Sequence, residues 1–127
     1  MFYAPALLTA EEKENFGGQI DVAPTLLGML RINYIQNNLG IDLLKEERPC
    51  MFFSADNMLG VKDTKHFYIY DTESKQEFNY NIHNGTLSPA TANTTFDLLK
   101  TYAFSMLQTT EYLIRKQLTT DKPHSNP

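Results

Sequence analysis

Residues 65–71, KHFYIYD, and residues 77–82, EFNYNI, decide the fold class of this sequence. The first run is dense in aromatic and β-branched residues, which favour strands. The second alternates apolar and polar residues with a period of two, the pattern of a half-buried strand. Polar residues 72–75 lie between them and suit a turn. We therefore predict an antiparallel pair of strands with one covered face.

Flanking segments extend this sheet and supply a helix to cover it. Residues 50–54 and 59–62 read as further strands, so the sheet is expected over about 50–82, followed by a loop at 83–86. Between about 94 and 118, apolar residues recur at steps of three and four, which predicts a long amphipathic helix. The apolar residues of this stripe are Phe96, Leu99, Ala103, Met106, Leu107, Leu113, Ile114 and Leu118.

The N-terminal part predicts a second helix. Asp21 is a good N-cap for a helix over about 22–31, and Pro24 falls in the first turn, where a missing amide costs little. Residues 2–4 read as a short strand, and residues 119–127 are expected to be a disordered tail. The whole pattern indicates a mixed α+β architecture.

Composition limits the classes of function. The chain has 127 residues, of which 42% are hydrophobic, and this suits one globular domain. A net charge of −4 without a basic block argues against nucleic acid as a partner. The single cysteine, Cys50, excludes an internal disulfide. No apolar run approaches the roughly 18 residues that cross a bilayer, so this chain alone is expected to be soluble.

Candidate catalytic residues are sparse. His66, His83 and His124 have no metal-ligand spacing, and no neighbour of Cys50 would activate its thiol, which favours a buried strand cysteine. Asp21 and Thr25 lie four residues apart, as an acid and a hydroxyl could. Helix capping by Asp21 and packing by Thr25 are the favoured interpretation.

Two further groups have a structural interpretation that we favour. The pair Glu46 and Glu47 is expected to be a solvated corner rather than an acid/base dyad. An aromatic run could form a stacking platform, but cross-strand packing under the long helix is favoured. The run comprises Phe67, Tyr68, Tyr70, Phe78 and Tyr80.

Residues 17–30, GGQIDVAPTLLGML, resemble a segment near the C-terminal end of sulfatase-like catalytic domains of the alkaline phosphatase superfamily. They most resemble the lipoteichoic acid synthase and phosphoglycerol transferase branch. There a Gly-Gly-x-x-Asp-ψ-x-Pro-Thr-ψ-Leu pattern, in which ψ is aliphatic, opens a helix after the last strands of the main sheet. The matching positions, all expected to be structural, are Gly17, Gly18, Asp21, Pro24, Thr25, Leu26, Leu27 and Gly40.

The resemblance extends over about residues 2–82. Residues 38–44, NLGIDLL, resemble the step that follows the helix in this family, and residues 67–80 resemble its C-terminal antiparallel strands. Arg31 departs from the family, which often has glycine at the helix end, so this chain lacks the usual left-handed cap residue.

The resemblance implies a C-terminal piece of a larger enzyme. Residues 1–48 would end an α/β sulfatase-like catalytic domain, and residues 49–118 would form a small antiparallel subdomain closed by a helix. In such enzymes a nucleophile and a divalent metal (Mn, Mg, Ca or Zn) act on phosphate or sulfate esters. Both come from upstream segments, so no catalytic, cofactor-binding or metal-binding residue is carried over to this chain.

The same resemblance implies partners and a location for the parent enzyme. This chain would pack on the upstream part of its own catalytic domain, and alone it would be inactive and tend to self-associate. The substrate would be a glycerolipid-type phosphate or sulfate ester, handled on the extracytoplasmic face of a bacterial membrane.

Two other functions remain open from the residues. One is an autonomous, non-catalytic binding or interaction module that uses the aromatic sheet. The other, much less favoured, is a small hydrolase built on Cys50, Asp21 and His66.

Overall fold

The computed structural model describes Thr9 and residues 16–116 and has the predicted α+β architecture. Its two helices are α1 (Val22–Met29), which follows a 3₁₀ turn at Gln19–Asp21, and α2 (Thr94–Arg115). Its strands are β1 (Met51–Ala55), β2 (Met58–Lys62), β3 (His66–Asp71), β4 (Glu77–His83) and β5 (Thr86–Pro89). The predicted strand at 2–4 and the tail at 119–127 lie outside the described residues.

The five strands form an antiparallel meander in the order β1-β2-β3-β4-β5. The prediction of a loop at 83–86 was wrong, because Asn84 and Gly85 form a tight hairpin turn that leads into β5. Both turn residues have positive φ, at 48° and 76°, as the common two-residue hairpin requires. The sheet therefore reaches Pro89 rather than residue 82.

One face of the sheet packs on α2 and forms the core. The buried residues of this core come from the position just before β1, from β2 and β3, and from the apolar stripe of α2. They are Cys50, Leu59, Val61, Tyr68, Phe96, Leu99 and Ala103. The helical periodicity in the sequence thus identified the N-terminal part of the stripe, Phe96, Leu99 and Ala103, and Cys50 is buried as predicted. The helix ends at Arg115 rather than at about 118, Ile114 of the predicted stripe is 60% exposed, and Leu118 lies outside the described residues.

The aromatic run divides between the two faces of the sheet, so its predicted packing under the helix was only partly right. Tyr68 and Tyr70 face α2, and the Tyr70 ring lies 5.1 Å from that of Phe104. Phe67 and Tyr80 pair across strands on the opposite face, and their rings are 6.3 Å apart. Alternation along each strand forces this division, because neighbouring residues point to opposite faces.

We call the side away from α2 the open sheet face. Gly60 lies at its centre, and an added Cβ there would lie 2.4 Å from the Phe53 ring. Glycine at this position therefore leaves the space that the Phe53 ring occupies. The registers of the four strand pairs place its apolar members on this side. They are Met51, Phe53, Ala55, Met58, Phe67, Ile69, Phe78, Tyr80, Ile82, Leu87 and Pro89.

Helix α1 ends two residues earlier than predicted. Arg31, which stands where the resembling family often has glycine, follows its last turn. That residue has a φ of 55°, and its amide donates to the Gly28 carbonyl while the Ile32 amide donates to that of Leu27. This is the pairing of a left-handed helix cap, so the expectation that the chain lacks such a cap residue was wrong. Arg31 adopts the conformation at a steric cost that glycine does not have.

None of the helices in the described part of the chain combines the length and apolarity that crossing a bilayer would require.

Candidate functional site

The centre of the candidate site is the carboxylate of Asp21, which is fully buried. Its Oδ2 accepts hydrogen bonds from the Gly18 amide and from Arg48 Nε, each at 2.9 Å. Its Oδ1 accepts from the Ile41 amide at 2.9 Å and from Arg48 Nη2. These four bonds use the whole accepting capacity of a carboxylate. None of them comes from the first turn of α1, so the predicted helix-capping role of Asp21 was wrong.

Arg48 is the partner that the sequence analysis missed. Its side chain is buried, with 4% exposed, and it holds Asp21 in a bidentate ion pair. Its Nη2 also donates to the Leu39 carbonyl at 2.7 Å, and its Nη1 lies 3.5 Å from the Tyr102 hydroxyl on α2. One guanidinium thus ties α1, the loop before residue 41 and helix α2 to the start of the sheet.

Thr25 joins this network through the backbone of its neighbours. Its hydroxyl donates to the Asp21 carbonyl at 2.6 Å and accepts from the Leu43 amide at 3.1 Å. The Asp21 carboxylate is not its partner, so the two residues do not form an acid–hydroxyl pair. Thr25 is nevertheless more than a packing residue, since its hydroxyl fixes the loop at 41–43 against α1.

The small residues of the motif allow the segments to approach. A Cβ added to Gly40 would lie 2.1 Å from the Ile20 carbonyl oxygen and 2.8 Å from Pro24 Cγ. A Cβ on Gly18 would lie 2.1 Å from the end of the Met51 side chain. The resemblance motif is therefore a packing unit around Asp21. Leu26 and Leu27 lie outside it, because Leu26 is 39% exposed and Leu27 is half-buried.

The ion pair stays charged. Burial by itself would raise the pKa of Asp21, but the hydrogen bonds from Arg48, Gly18 and Ile41 outweigh it and lower that pKa. Burial likewise opposes the charge of Arg48, while Asp21 raises the pKa of the guanidinium above its ordinary value. A buried charge pair with all its bonds made is a rigid structural element.

A second row of polar side chains crosses the sheet beside this network. One step beyond the paired registers, Cys50 directly precedes β1, Asp63 directly follows β2, and His66 begins β3. The Asp63 amide donates to the His66 carbonyl at 3.0 Å, and the Asp63 charge acts on Cys50. Asp63 Oδ2 lies 3.0 Å from His66 Nδ1, and the His66 ring meets the edge of Phe96. Asp63 is the middle member, so the cysteine neighbours the acid and not the histidine.

This order of residues makes Cys50 a poor nucleophile. Burial, and then the charge of Asp63, raise the pKa of the Cys50 thiol to about 11. A cysteine nucleophile requires the reverse, a cationic or basic neighbour that stabilises the thiolate. The predicted trio of Cys50, Asp21 and His66 is not assembled, because Arg48 engages Asp21 and Asp63 engages His66.

The divalent metal that the resemblance implies finds no donor set here. In the described residues, no three His, Cys, Asp or Glu side chains lie together as metal ligands would. His83 is exposed at the end of β4, and His124 lies beyond the described range. Glu46 and Glu47 are both exposed, as expected for a solvated corner.

A shallow cleft of about 560 Å³ lies between the end of α1 and the turn at 42–45. Asp42, which lines the cleft with Glu46, pairs with Lys45 at 3.1 Å, and its Oδ1 accepts from the Leu44 amide at 3.1 Å. Both charges of this pair are therefore engaged with each other.

Comparison with models of protein families gave no match. Searches of curated proteins and of solved structures also gave none.

Proposed function

We propose that this chain is the C-terminal part of a metal-dependent sulfatase-like phosphoglycerol transferase or hydrolase. Its residues would hold the fold together and would not take part in catalysis. The parent enzyme would act on glycerolipid-type phosphate or sulfate esters at the extracytoplasmic face of a bacterial membrane. Its nucleophile and divalent metal would belong to the upstream part of the catalytic domain.

The observation that supports this proposal is that the polar groups of the motif residues are bonded within the chain itself. Asp21, Pro24, Thr25 and Gly40 are buried together, and the half-buried Gly18 joins them through its amide bond to Asp21. Every accepting position of the Asp21 carboxylate is taken by the chain itself, and the Thr25 hydroxyl both donates and accepts internally. Residues in this state hold segments together and present no free group to a substrate.

An exposed apolar surface on α1 supports the proposal that further polypeptide packs against this helix. Val22 is 50% exposed, Leu26 39% and Leu30 54%, and Ile35 in the following loop is 86% exposed. Exposed apolar residues that lie close together are typical of interfaces. In the proposed enzyme, the upstream part of the same catalytic domain covers them.

Arg48 suits the proposed boundary between the two parts of the chain. Residues 1–48 would complete the catalytic domain, and residues 49–118 would form the subdomain. The guanidinium of Arg48 reaches Asp21 on one side and Tyr102 on the other. The bonds of one buried side chain would thus fix the subdomain against the catalytic domain.

The alternative is an autonomous, non-catalytic binding module. The open sheet face favours it, because Phe53 is 41% exposed and Phe78 39% in the absence of any partner. A module of this kind would need no upstream polypeptide.

The size of the native product distinguishes the two proposals. An antibody raised against the 127-residue chain would be used on immunoblots of membrane, soluble and secreted fractions of the source cells. A band several times larger than 14.6 kDa in a membrane or secreted fraction is expected for the enzyme part. A single band near 14.6 kDa would overturn that proposal and leave the binding module.

Substitution in the larger product then tests the role of the motif. Asp21→Asn is expected to lower the amount of folded enzyme while the turnover of each folded molecule stays within about twofold, since a positioning residue does not touch the reacting atoms. Glu46→Gln, at an exposed carboxylate, is the matched control. A loss of turnover of a hundredfold or more with unchanged folding would make Asp21 catalytic, contrary to the proposal.

A further inference from the structure

The open sheet face is apolar, and no helix or strand of the described chain covers it. Gly18 packs on it, against Met51 at the start of β1. Phe53, Met58, Phe78 and Leu87 on this face are between 39% and 49% exposed. A sheet that is apolar on both sides is normally covered on both, and here α2 covers only one. The feature does not depend on the proposed enzyme, because it belongs to the sheet alone.

The charges on this face are few and opposite. In the paired strands its only charged members are Lys62 at one end of β2 and Asp71 at the opposite end of β3. Lys62 pairs with Met51 and Phe67, whereas Asp71 pairs with Met58. The face thus has a neutral apolar middle, with one positive and one negative charge at opposite ends of neighbouring strands.

This arrangement is complementary to itself. A two-fold axis that crosses the strands through the Gly60–Ile69 pair reverses the strand direction in the second copy. Lys62 of each copy then lies beside Asp71 of the other, and the apolar middle stacks on itself. An axis along the strands would instead set Lys62 over Phe67 and Asp71 over Met58, with both charges left against apolar groups.

We propose that the chain forms a symmetric dimer through the open sheet face, with the two-fold axis crossing the strands at Gly60–Ile69. The occupant of the face is a second copy of this chain. Stacked sheets lie about 10 Å apart, which leaves room for both layers of side chains.

The size of the face sets the strength of the dimer. Five strands spaced about 4.8 Å apart, with about five residues each, give a footprint of roughly 400 Å² per copy. Stable complexes bury about 800 Å² per partner, so a dissociation constant in the micromolar range is expected.

Sedimentation velocity of the 127-residue chain between about 1 and 200 μM tests the proposal, since a micromolar dimer dissociates within that range. The wild type is expected to shift from monomer to dimer over these concentrations. Phe78→Asp, which puts a charge in the apolar middle, is expected to weaken the dimer at least tenfold. Leu98→Asp is the control, because Leu98 is 66% exposed on α2.

A charge-swap experiment tests the direction of the axis. Lys62→Asp and Asp71→Lys each place like charges at both ends of the homodimer, so each variant alone is expected to weaken it by about three- to tenfold. Mixed together, the two variants restore opposite charges at both ends and are expected to pair with near wild-type affinity. Lys65→Asp mixed with Glu73→Lys gives the same net charges off the face and serves as the control.

The Asp71 carboxylate also accepts from the Glu73 and Ser74 amides, so circular dichroism must first show that Asp71→Lys folds. If it does not, Lys62→Glu against Lys65→Glu still tests the end charges. A wild type that stays monomeric to 200 μM would overturn the proposal. So would a dimer that survives Phe78→Asp but is lost in Leu30→Asp, which alters the surface of α1.

Discussion

At the scale of single residues, the buried pair of Asp21 and Arg48 holds the N-terminal part of the described chain. Asp21→Asn keeps the shape of the side chain but leaves Arg48 as a buried charge without its counter-ion. Removal of one partner of such a pair typically costs about 3–5 kcal/mol of the free energy of unfolding. Urea unfolding should show this loss, whereas Glu46→Gln should change the free energy by less than about 0.5 kcal/mol. A loss below about 1 kcal/mol for Asp21→Asn would contradict the network.

The same carboxylate predicts a dependence of stability on pH. The pKa of Asp21 in the folded chain lies below its ordinary value of 3.8. Its contribution is therefore fully present above that pH and is lost as the pH falls through the folded pKa. The stability difference between wild type and Asp21→Asn should be constant from pH 7 to 5 and shrink below about pH 4. A difference that is unchanged at pH 3 would mean that Asp21 does not titrate as described.

Cys50 should be nearly inert in the folded chain. A thiol with a pKa of about 11, against 9.0 without burial, forms about a hundredfold less thiolate at pH 8. The side chain is also only 5% exposed. A chromogenic disulfide reagent should therefore react at least a hundredfold faster in concentrated urea than in buffer. A native rate within tenfold of the unfolded rate would reopen the cysteine chemistry.

At the scale of elements, α2 depends on its first turn. The Asn93 side-chain oxygen accepts from the Thr95 amide at 2.9 Å and from the Phe96 amide at 3.2 Å. Asn93→Ala should remove this cap and about 1 kcal/mol of the free energy of unfolding, because α2 supplies three of the seven buried core residues. Asn93→Asp, which keeps the acceptor, should cost less than half of that. Equal losses in thermal or urea unfolding would show that the cap does not act through this acceptor.

The elements that local patterns specify were predictable from the sequence. The apolar stripe of α2 and the alternation in β4 are signals carried by neighbouring residues, and both helices start where they were expected. The turn at Asn84 and Gly85 carried the hairpin signal for β5, which was interpreted as a loop. The division of the aromatic run also follows from alternation alone and was available in the sequence.

The site was less predictable because its bonds join distant residues. Asp21 and Arg48 are 27 positions apart, and Arg48 stands in a charged run that resembles a solvated corner. Lys45, Glu46 and Glu47 in that run are exposed, whereas Arg48 is buried beside Cys50. The signal that pointed to Arg48 was an aspartate within the apolar, glycine-rich residues 17–30. A buried carboxylate there requires a cation.

At the scale of the whole molecule, α1 and the open sheet face are two exposed apolar surfaces of the described residues, with different expected roles. We propose that upstream polypeptide covers the surface of α1. Leu30→Glu combined with Ile35→Glu should reduce aggregation of the chain. Light scattering should therefore begin to rise only at a higher protein concentration than in the wild type. The free energy of unfolding should change by less than about 0.5 kcal/mol per site, because both side chains are at least half exposed. A larger loss would mean that these residues support the fold itself.

The bonds of Arg48 have a consequence for the order of folding. The hairpins of the meander close over short loops, whereas Arg48 meets Asp21 after 27 residues and Tyr102 after 54. Long loops cost more entropy to close, so this network is expected to form after the folding transition state. Asp21→Asn should then accelerate unfolding in a denaturant series and leave the refolding rate nearly unchanged. The ion pair would thus set how long the folded chain survives once it has formed.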